Sequence, residues 1–131
     1  MSPSQNYKIW QPVNLYGKWK VGKGTRIGAF CDIGGKIGKN CIIQTGVSIP
    51  PLTVIGDNTF LGPGVRIANE KHMMSGELQG TTIKKGAKIG MGALIGPGLT
   101  IGENVVVGMG ALVLCDIPAN EKWVGSPARK I

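Results

Sequence analysis

Aliphatic residues recur every six positions along most of the chain. They form three runs, first Ile9, Leu15, Val21, Ile27 and Ile33, then Ile37, Ile43, Ile49, Ile55, Leu61 and Ile67, and finally Ile83, Ile89, Ile95, Ile101, Val107 and Val113. A period of six fits neither the 3.6-residue period of an α-helix nor the alternation of a long strand, but it fits short strands separated by regular bends. The spacing predicts an all-β solenoid of triangular coils, with three short strands in each coil.

Small residues occupy a second set of positions in the same repeat. Four residues after most of the aliphatics stands a small or β-branched side chain, at Thr25, Cys31, Cys41, Val47, Thr53, Thr59, Val65, Ala87, Ala93, Val105 and Ala111. The residue directly after the aliphatic is usually glycine, which suits a turn with positive φ or close backbone approach. Stacked about 4.8 Å apart, about 100 repeat residues make roughly five to six coils whose interior is filled by side chains. A ligand site must then lie in loops, on the outer faces or between chains.

Two interruptions break the repeat. The first removes two residues within 34–36, because the aliphatics on either side are only four positions apart, and it predicts a tight corner. The second separates Ile67 from Ile83 by sixteen positions, ten more than one repeat, and it predicts a protruding loop at 68–80. An excursion from a strict repeat is a typical place for function in a solenoid.

The length and the remaining composition limit the classes of protein to which the chain can belong. The chain has 131 residues, and we assign 1–131 to one solenoid domain with a C-terminal tail at 114–131. The start lacks the basic and then apolar pattern of a signal peptide, and no apolar run approaches the roughly 20 residues of a membrane span. Three cysteines without a CxxC spacing argue against a disulfide framework and a zinc site. We therefore expect a cytoplasmic protein with no membrane partner and no metal.

The six-residue pattern is similar to the hexapeptide repeat of the left-handed β-helix acyltransferase superfamily. The similarity extends from Ile9 to Val113. It implies that the parallel β-helix is left-handed and that the protein is a homotrimer with active sites between subunits. It also implies acyl transfer from a thioester, which needs a base, donors for the developing oxyanion and a slot for the carrier.

The predicted loop contains the only histidine of the chain, His72. Histidine has an ordinary pKa near 6.5 and can accept a proton at neutral pH, directly or through a water, although a solvated loop histidine without a catalytic role has the same sequence signature. Asn69 and Glu70 precede it and are candidates to orient its ring or to hold the acceptor. We predict these three residues as the catalytic group.

Two resemblances of the loop support its interpretation as a catalytic loop. The segment VRIANEKH resembles the Asn-Asp-x-x-Pro loop of sugar-nucleotide aminosugar N-acetyltransferases, with Glu70 in place of the Asp and Met73 in place of the Pro. It also resembles the Asn-His-x-Met loop of hexapeptide-repeat acetyltransferases that modify antibiotics, with His72 and Met74 in the corresponding places. Both imply a catalytic loop and leave the acceptor open. For an amine that is largely neutral near pH 8, positioning would matter more than the base.

The C-terminal half resembles the acetyl-CoA-binding end of this family. The resemblance rests on TTIKKGAKIGMGALIGPGLTIGENVVVGMGALV and on the closing VGSPARKI. It implies a coenzyme A groove between neighbouring chains, with small residues along the pantetheine arm at Gly92, Ala93, Gly110 and Ala111. Cations suited to the phosphates of coenzyme A follow at Lys122, Arg129 and Lys130. Ordinary coil packing is the alternative role for the glycines and alanines.

These observations give a first hypothesis and two alternatives. The first is an acetyl-CoA-dependent acetyltransferase acting on the amino group of a nucleotide-linked aminosugar. The alternatives are an O-acetyltransferase acting on a polysaccharide sugar or a small xenobiotic hydroxyl, and a basic, non-catalytic β-helical scaffold that the net charge of +8 would suit. A γ-type carbonic anhydrase is excluded, because one histidine per chain cannot supply three zinc ligands at an interface. With 5% aromatic residues, a stacking platform for nucleic acid is not expected.

Overall fold

The computed structural model describes residues 6–131, and this part of the chain forms 19 short β-strands and no α-helix. Each of the 17 aliphatics of the six-residue pattern is the second residue of one of the first 17 strands. Because the residue before it faces outward and the aliphatic faces inward, two residues are enough to make each strand. The all-β solenoid is therefore confirmed, strand by strand.

The strands stack into three sheets, which form the three faces of a prism. Sheet A contains β1 (Lys8–Ile9), β4 (Arg26–Ile27), β7 (Ile42–Ile43), β10 (Phe60–Leu61), β13 (Lys88–Ile89), β16 (Val106–Val107), β18 (Lys122–Val124) and β19 (Arg129–Lys130). Sheet B contains β2 (Asn14–Leu15), β5 (Asp32–Ile33), β8 (Ser48–Ile49), β11 (Arg66–Ile67), β14 (Leu94–Ile95) and β17 (Leu112–Val113). Sheet C contains β3 (Lys20–Val21), β6 (Lys36–Ile37), β9 (Val54–Ile55), β12 (Thr82–Ile83) and β15 (Thr100–Ile101).

Successive coils are in register. Each of the first 18 strands pairs in parallel with the strand one coil away, and the aliphatics lie directly over one another, as Ile43 does under Leu61. In the prism interior most of these aliphatics are less than 3% exposed, and the small residues between them fill the corners. Ile9 and Leu15 of the first coil are only partly buried, because residues 6–131 contribute no further coil below them. At the other end Trp123 packs against the core.

Three corners connect the sheets, and we name them by the sheets they join. The A/B corner comprises residues 10–13, 28–31, 44–47, 62–65, 90–93 and 108–111. The B/C corner comprises 16–19, 34–35, 50–53, 68–81, 96–99 and 114–115. The C/A corner comprises 22–25, 38–41, 56–59, 84–87, 102–105 and 118–121. Both predicted interruptions, the two-residue deletion and the loop, lie at the B/C corner.

The tail closes the prism on sheet A. Strand β18 continues that sheet in parallel next to β16, and β19 folds back antiparallel to β18. The turn between them puts Arg129 and Lys130 beside Lys122 at this end of the sheet. No helix long and apolar enough to cross a membrane occurs in residues 6–131.

Candidate functional site

The loop leaves and re-enters the prism at the B/C corner and is fixed to the coils on both sides. The Asn69 side-chain Nδ2 donates to the carbonyl of Pro51 in the coil before it, at 3.0 Å. The backbone N–H of Gln79 donates to the Asn69 carbonyl at 2.7 Å, and the N–H of Gly98 in the next coil donates to the Gln79 carbonyl at 3.1 Å. Asn69 therefore anchors the base of the loop.

Glu70 shapes the turn that carries the histidine. Its two carboxylate oxygens accept backbone N–H groups, from Met74 at 3.3 Å and from Gly76 at 2.7 Å. Within the turn the Ser75 N–H donates to the His72 carbonyl at 3.1 Å, and Met74 takes a positive φ of 67°. In one chain Glu70 thus holds the backbone of the turn, whereas the sequence had suggested that it orients the imidazole or holds the acceptor.

His72 lies at the exposed tip of this loop. Met73 is 89% exposed and Met74 is 97% exposed beside it. Side chains this exposed are shielded from water only when another molecule contacts them. Exposed apolar side chains that are grouped together mark interaction sites. The tip therefore presents an exposed imidazole next to two exposed apolar side chains, in a position that a neighbouring chain or a substrate can reach.

The predicted donor glycines lie at a different corner. Gly92 and Gly110 take φ values of 71° and 68° in the A/B corner, and a Cβ added at either would meet no atom within 4 Å. The Gly92 N–H donates to Pro63 and the Gly110 N–H donates to Met91, at 2.9 and 2.8 Å, so successive coils stack directly here. The same column forms an outer strip without side chains, which we call the glycine strip: Gly46, Gly64, Gly92 and Gly110.

Ala93 and Ala111 do not share this outer surface. Both are 0% exposed, because their methyl groups fill the core at the fourth position of the repeat. Their carbonyls accept the N–H groups of Arg66 and Leu94 from the neighbouring coils. Among the four small residues predicted for the groove, the structure therefore exposes only the two glycines, and the alanines pack in the core.

The C-terminal cations differ in their partners. Lys130 Nζ lies 3.2 Å from Glu121 Oε2, which is the one ion pair among residues 6–131. A hydrogen bond from Trp123 Nε1, 3.0 Å from Glu121 Oε1, lowers the pKa of this half-buried carboxyl, and Lys130 lowers it further. Lys122 and Arg129 are exposed next to this pair. They are better placed than Lys130 to meet phosphate, because Lys130 already faces a carboxylate.

The sequence missed a cavity and an unpaired hydroxyl, both at the B/C corner. The cavity has a volume of about 480 Å³ and lies beside the two-residue deletion. The Thr53 hydroxyl is the one buried side-chain oxygen in the described part of the chain without a hydrogen-bond partner. The deletion itself was the available signal for the cavity, since a shortened corner leaves space that a full repeat fills.

Two of the three cysteines are buried inside the prism, and the third is exposed. Burial raises the pKa of the Cys31 and Cys41 thiols, which donate to the Gln44 and Gly56 carbonyls inside the prism. Cys115 is exposed at the B/C corner. Within 6–131 no group of three His, Cys, Asp or Glu side chains comes together as a metal site requires.

The family is established by its repeat. The model of the bacterial transferase hexapeptide (six repeats) matches residues 34–69 and 80–115, more than half of the chain. The chain belongs to the bacterial transferase hexapeptide family. The two matched segments of this hexapeptide protein end and resume on either side of the loop, so the loop is what the chain adds to the family repeat. No curated protein sequence matches the chain significantly.

Solved structures similar to this hexapeptide protein include three from bacteria. PerB from Caulobacter crescentus, in complex with CoA and GDP-perosamine, is 28% identical with a TM-score of 0.81, over 91% of this chain and 54% of PerB. WeeI from Acinetobacter baumannii AYE is 29% identical with a TM-score of 0.75, over 98% of this chain and 56% of WeeI. A variant of the N-acyltransferase AntD from Bacillus cereus, in complex with dTDP-4-amino-4,6-dideoxyglucose and Coenzyme A, is 23% identical with a TM-score of 0.86, over 94% of this chain and 78% of AntD. The chain thus spans about half the length of PerB and WeeI, and AntD shows the shared fold.

Proposed function

We propose that this chain transfers an acetyl group from acetyl-CoA to the amino group of a nucleotide-linked aminosugar. The observation that carries the proposal is the loop at 68–80, which is the one insertion into a solenoid that superposes on PerB, and which carries the only histidine of the chain. PerB was crystallised with CoA and GDP-perosamine, and a second similar structure, with the same two ligands, is of a perosamine N-acetyltransferase from the same bacterium. Its ligands are those that the proposed reaction requires.

The chemistry of the loop fits acyl transfer to an amine. The nitrogen attacks the thioester carbonyl, a C–N bond forms, and the C–S bond breaks to release the CoA thiolate. His72 accepts the proton that the nitrogen loses, directly or through a water, and this proton then neutralises the thiolate. When a neighbouring chain covers the loop tip, the apolar side chains of Met73 and Met74 exclude water from the reacting groups, which strengthens every polar interaction there.

The site is completed between chains in this proposal. In one chain the loop is at the B/C corner and the glycine strip is at the A/B corner, so the whole width of sheet B separates His72 from Gly92. A homotrimer, in which the loop of one protomer faces the glycine strip of its neighbour, brings the base to the thioester. Shared sites of this kind also give the two exposed methionines of the loop tip a surface to contact.

Acetyl-CoA is the donor in this proposal. Its pantetheine arm lies along the glycine strip, where no side chain stands in its way. Its phosphates lie near Lys122 and Arg129, and the net charge of +8 attracts an anionic carrier to this surface. A cytoplasmic location belongs to the same proposal, because all three cysteines are unpaired thiols, as is usual in a reducing compartment.

Two measurements test the proposal. At 100 times its Kd, acetyl-CoA is expected to stabilise the protein by about 2.7 kcal/mol, which a thermal melt detects. Thiol release in the presence of nucleotide-linked aminosugars, with the product identified by mass spectrometry, tests the transfer. The proposal fails if acetyl-CoA neither shifts the melt nor releases thiol with any such sugar.

A further inference from the structure

The two-residue deletion at the B/C corner leaves a cavity of about 480 Å³, which we call the notch. Small-molecule sites typically have volumes of about 300–1,000 Å³. The notch is lined by Gly17, Lys18, Gly34, Gly35, Lys36, Pro51, Leu52, Thr53 and Val54. It is therefore large enough for a ligand, and nothing in the proposed donor site uses it.

Packing keeps the notch free of side chains at its base. Gly34 and Gly35 are both buried. A Cβ on Gly34 would stand 2.7 Å from the Tyr16 ring and 2.9 Å from Pro51, and a Cβ on Gly35 would stand 2.6 Å from the Thr53 carbonyl oxygen. Because neither position accepts a side chain, the shortened corner is a fixed indentation in the prism.

The rim of the notch is positively charged. Lys36 pairs directly with Lys20 across adjacent parallel strands, and Lys18 stands at the corner beside them. All three are exposed, and none takes part in the one ion pair of residues 6–131. Like charges directly opposite each other in a sheet are destabilising, so an anion bound between these lysines relieves their repulsion.

The opposite wall of the notch is apolar and leads to the loop. Leu52 is 58% exposed and Val54 is 43% exposed. Leu52 takes a φ of 73°, which is uncommon for a residue with a bulky side chain. Pro51, next to it, is the residue whose carbonyl accepts the Asn69 side chain. The wall of the notch is thus also the support of the loop that carries His72.

We propose that the notch binds the nucleoside diphosphate of the acceptor, with Lys18, Lys20 and Lys36 on the phosphates and Leu52 and Val54 against the nucleoside. This inference rests on the proposed function, because it places the acceptor on the same corner as the loop. Lysine ammonium groups form charge-assisted hydrogen bonds to phosphate oxygens, and an apolar wall suits the uncharged face of a nucleoside. The sugar then extends from the notch towards the loop.

Calorimetric titration of the full chain with GDP, dTDP and UDP, without acetyl-CoA or aminosugar, tests this site. We expect at least one of the three to bind, and K36E to weaken that binding at least tenfold. K36M, which keeps the apolar stem, is expected to weaken it less. K23E makes the same charge change at the C/A corner of the first coil and is the matched control, with an expected change below twofold. Thermal melts and light scattering confirm that each variant keeps its fold and assembly.

Several results would overturn the notch as a nucleotide site. They are the absence of binding by all three nucleotides, equal weakening of binding by K36E and K23E, or a changed assembly in K36E, which would make the notch a contact between copies.

Turnover separates this inference from the proposed function. If K36E turns over aminosugar nucleotides with an unchanged KM, the notch is not the acceptor site although the enzyme stands. If nucleotides bind in the notch and no acetyl transfer occurs, the notch stands and the acetyltransferase does not.

Discussion

The A/B and B/C corners are built from the same repeat and differ in almost every other respect. At the A/B corner every turn has the same length, and each coil bonds to the next through the glycine strip, as Gly64 N–H does to Thr45 at 2.9 Å. At the B/C corner the turns at 34–35 and 114–115 are two residues short, another turn is extended by the loop, and one buried hydroxyl has no partner.

The contrast shows how a solenoid divides its surface. A regular corner is fixed by stacking, so it offers a ligand a smooth backbone surface but few reactive side chains. An irregular corner interrupts the stacking and is free to carry His72, the notch and its lysines. Within residues 6–131 the B/C corner lacks the regular backbone hydrogen bonds that join the middle of each turn to the next at the A/B corner.

Removal of His72 should have the largest effect. A general base contributes about 10²–10⁴ in rate, so H72A is expected to lower kcat by that range, towards the upper end for a hydroxyl acceptor and the lower end for an amine. Thiol release measures it, with K71A in the same loop as the control. An unchanged kcat in H72A would mean that His72 is not the base of the reaction.

The second prediction compares two neighbouring glycines of the A/B corner. A Cβ on Gly90 would stand 2.6 Å from the Met109 backbone nitrogen, whereas a Cβ on Gly92 would meet nothing within 4 Å. We expect G90A to lower the free energy of unfolding by about 3 kcal/mol through overpacking and G92A by about 1 kcal/mol through its positive φ. Denaturant unfolding measures both. Only G92A should weaken acetyl-CoA binding in the folded protein, and equal stability losses would contradict the stacking described for this corner.

The third prediction uses two threonines that stack one coil apart at the B/C corner. Thr81 Oγ1 donates to Gly96 at 2.7 Å and accepts the Leu99 N–H at 3.1 Å, whereas Thr53 Oγ1 has no partner. T81V is expected to destabilise the protein by about 1–3 kcal/mol, because it leaves polar groups unpaired. T53V removes an unpaired hydroxyl and is expected to be neutral or stabilising. Thermal melts measure both, and a destabilised T53V would show that its hydroxyl is satisfied.

The smallest effect concerns the thiols. Cys115 is exposed at the B/C corner, while Cys31 and Cys41 are buried at the regular corners with a raised pKa. A raised pKa leaves less thiolate at a given pH, and the thiolate is the reactive form. In the native protein at pH 8 we expect a thiol reagent to modify Cys115 rapidly and the other two only after unfolding. Rapid modification of all three would show that the corners open readily.

The sequence predicted the fold closely because the repeat encodes it directly. Each inward aliphatic marks one strand, so the spacing located every strand through Val113 and placed both interruptions. The buried positions of Ala93 and Ala111 also follow from the fourth-position rule, yet the resemblance to the coenzyme A groove assigned them to the surface. The position of a residue in the six-residue repeat indicates whether its side chain points into the core or towards solvent. For these two alanines the position in the repeat predicted their burial correctly.

The site was predicted only in part, because it depends on contacts between distant turns. The bonds from Glu70 to its own turn depend on how ten extra residues fold back. The unpaired Thr53 hydroxyl depends on which residues flank it in the next coil. The separation of His72 from the glycine strip becomes visible only when the three sheets are assigned to faces. None of these follows from a six-residue period.

Hydrogen–deuterium exchange with separate ligands tests the division between the two corners most directly. With a nucleoside diphosphate alone, the account predicts slower amide exchange in the loop at 68–80 and around Lys36. With CoA alone, it predicts slower exchange at 90–92 and 108–110 and in the tail. Protection of the glycine strip by the nucleotide, with no change at the loop or the notch, would contradict it.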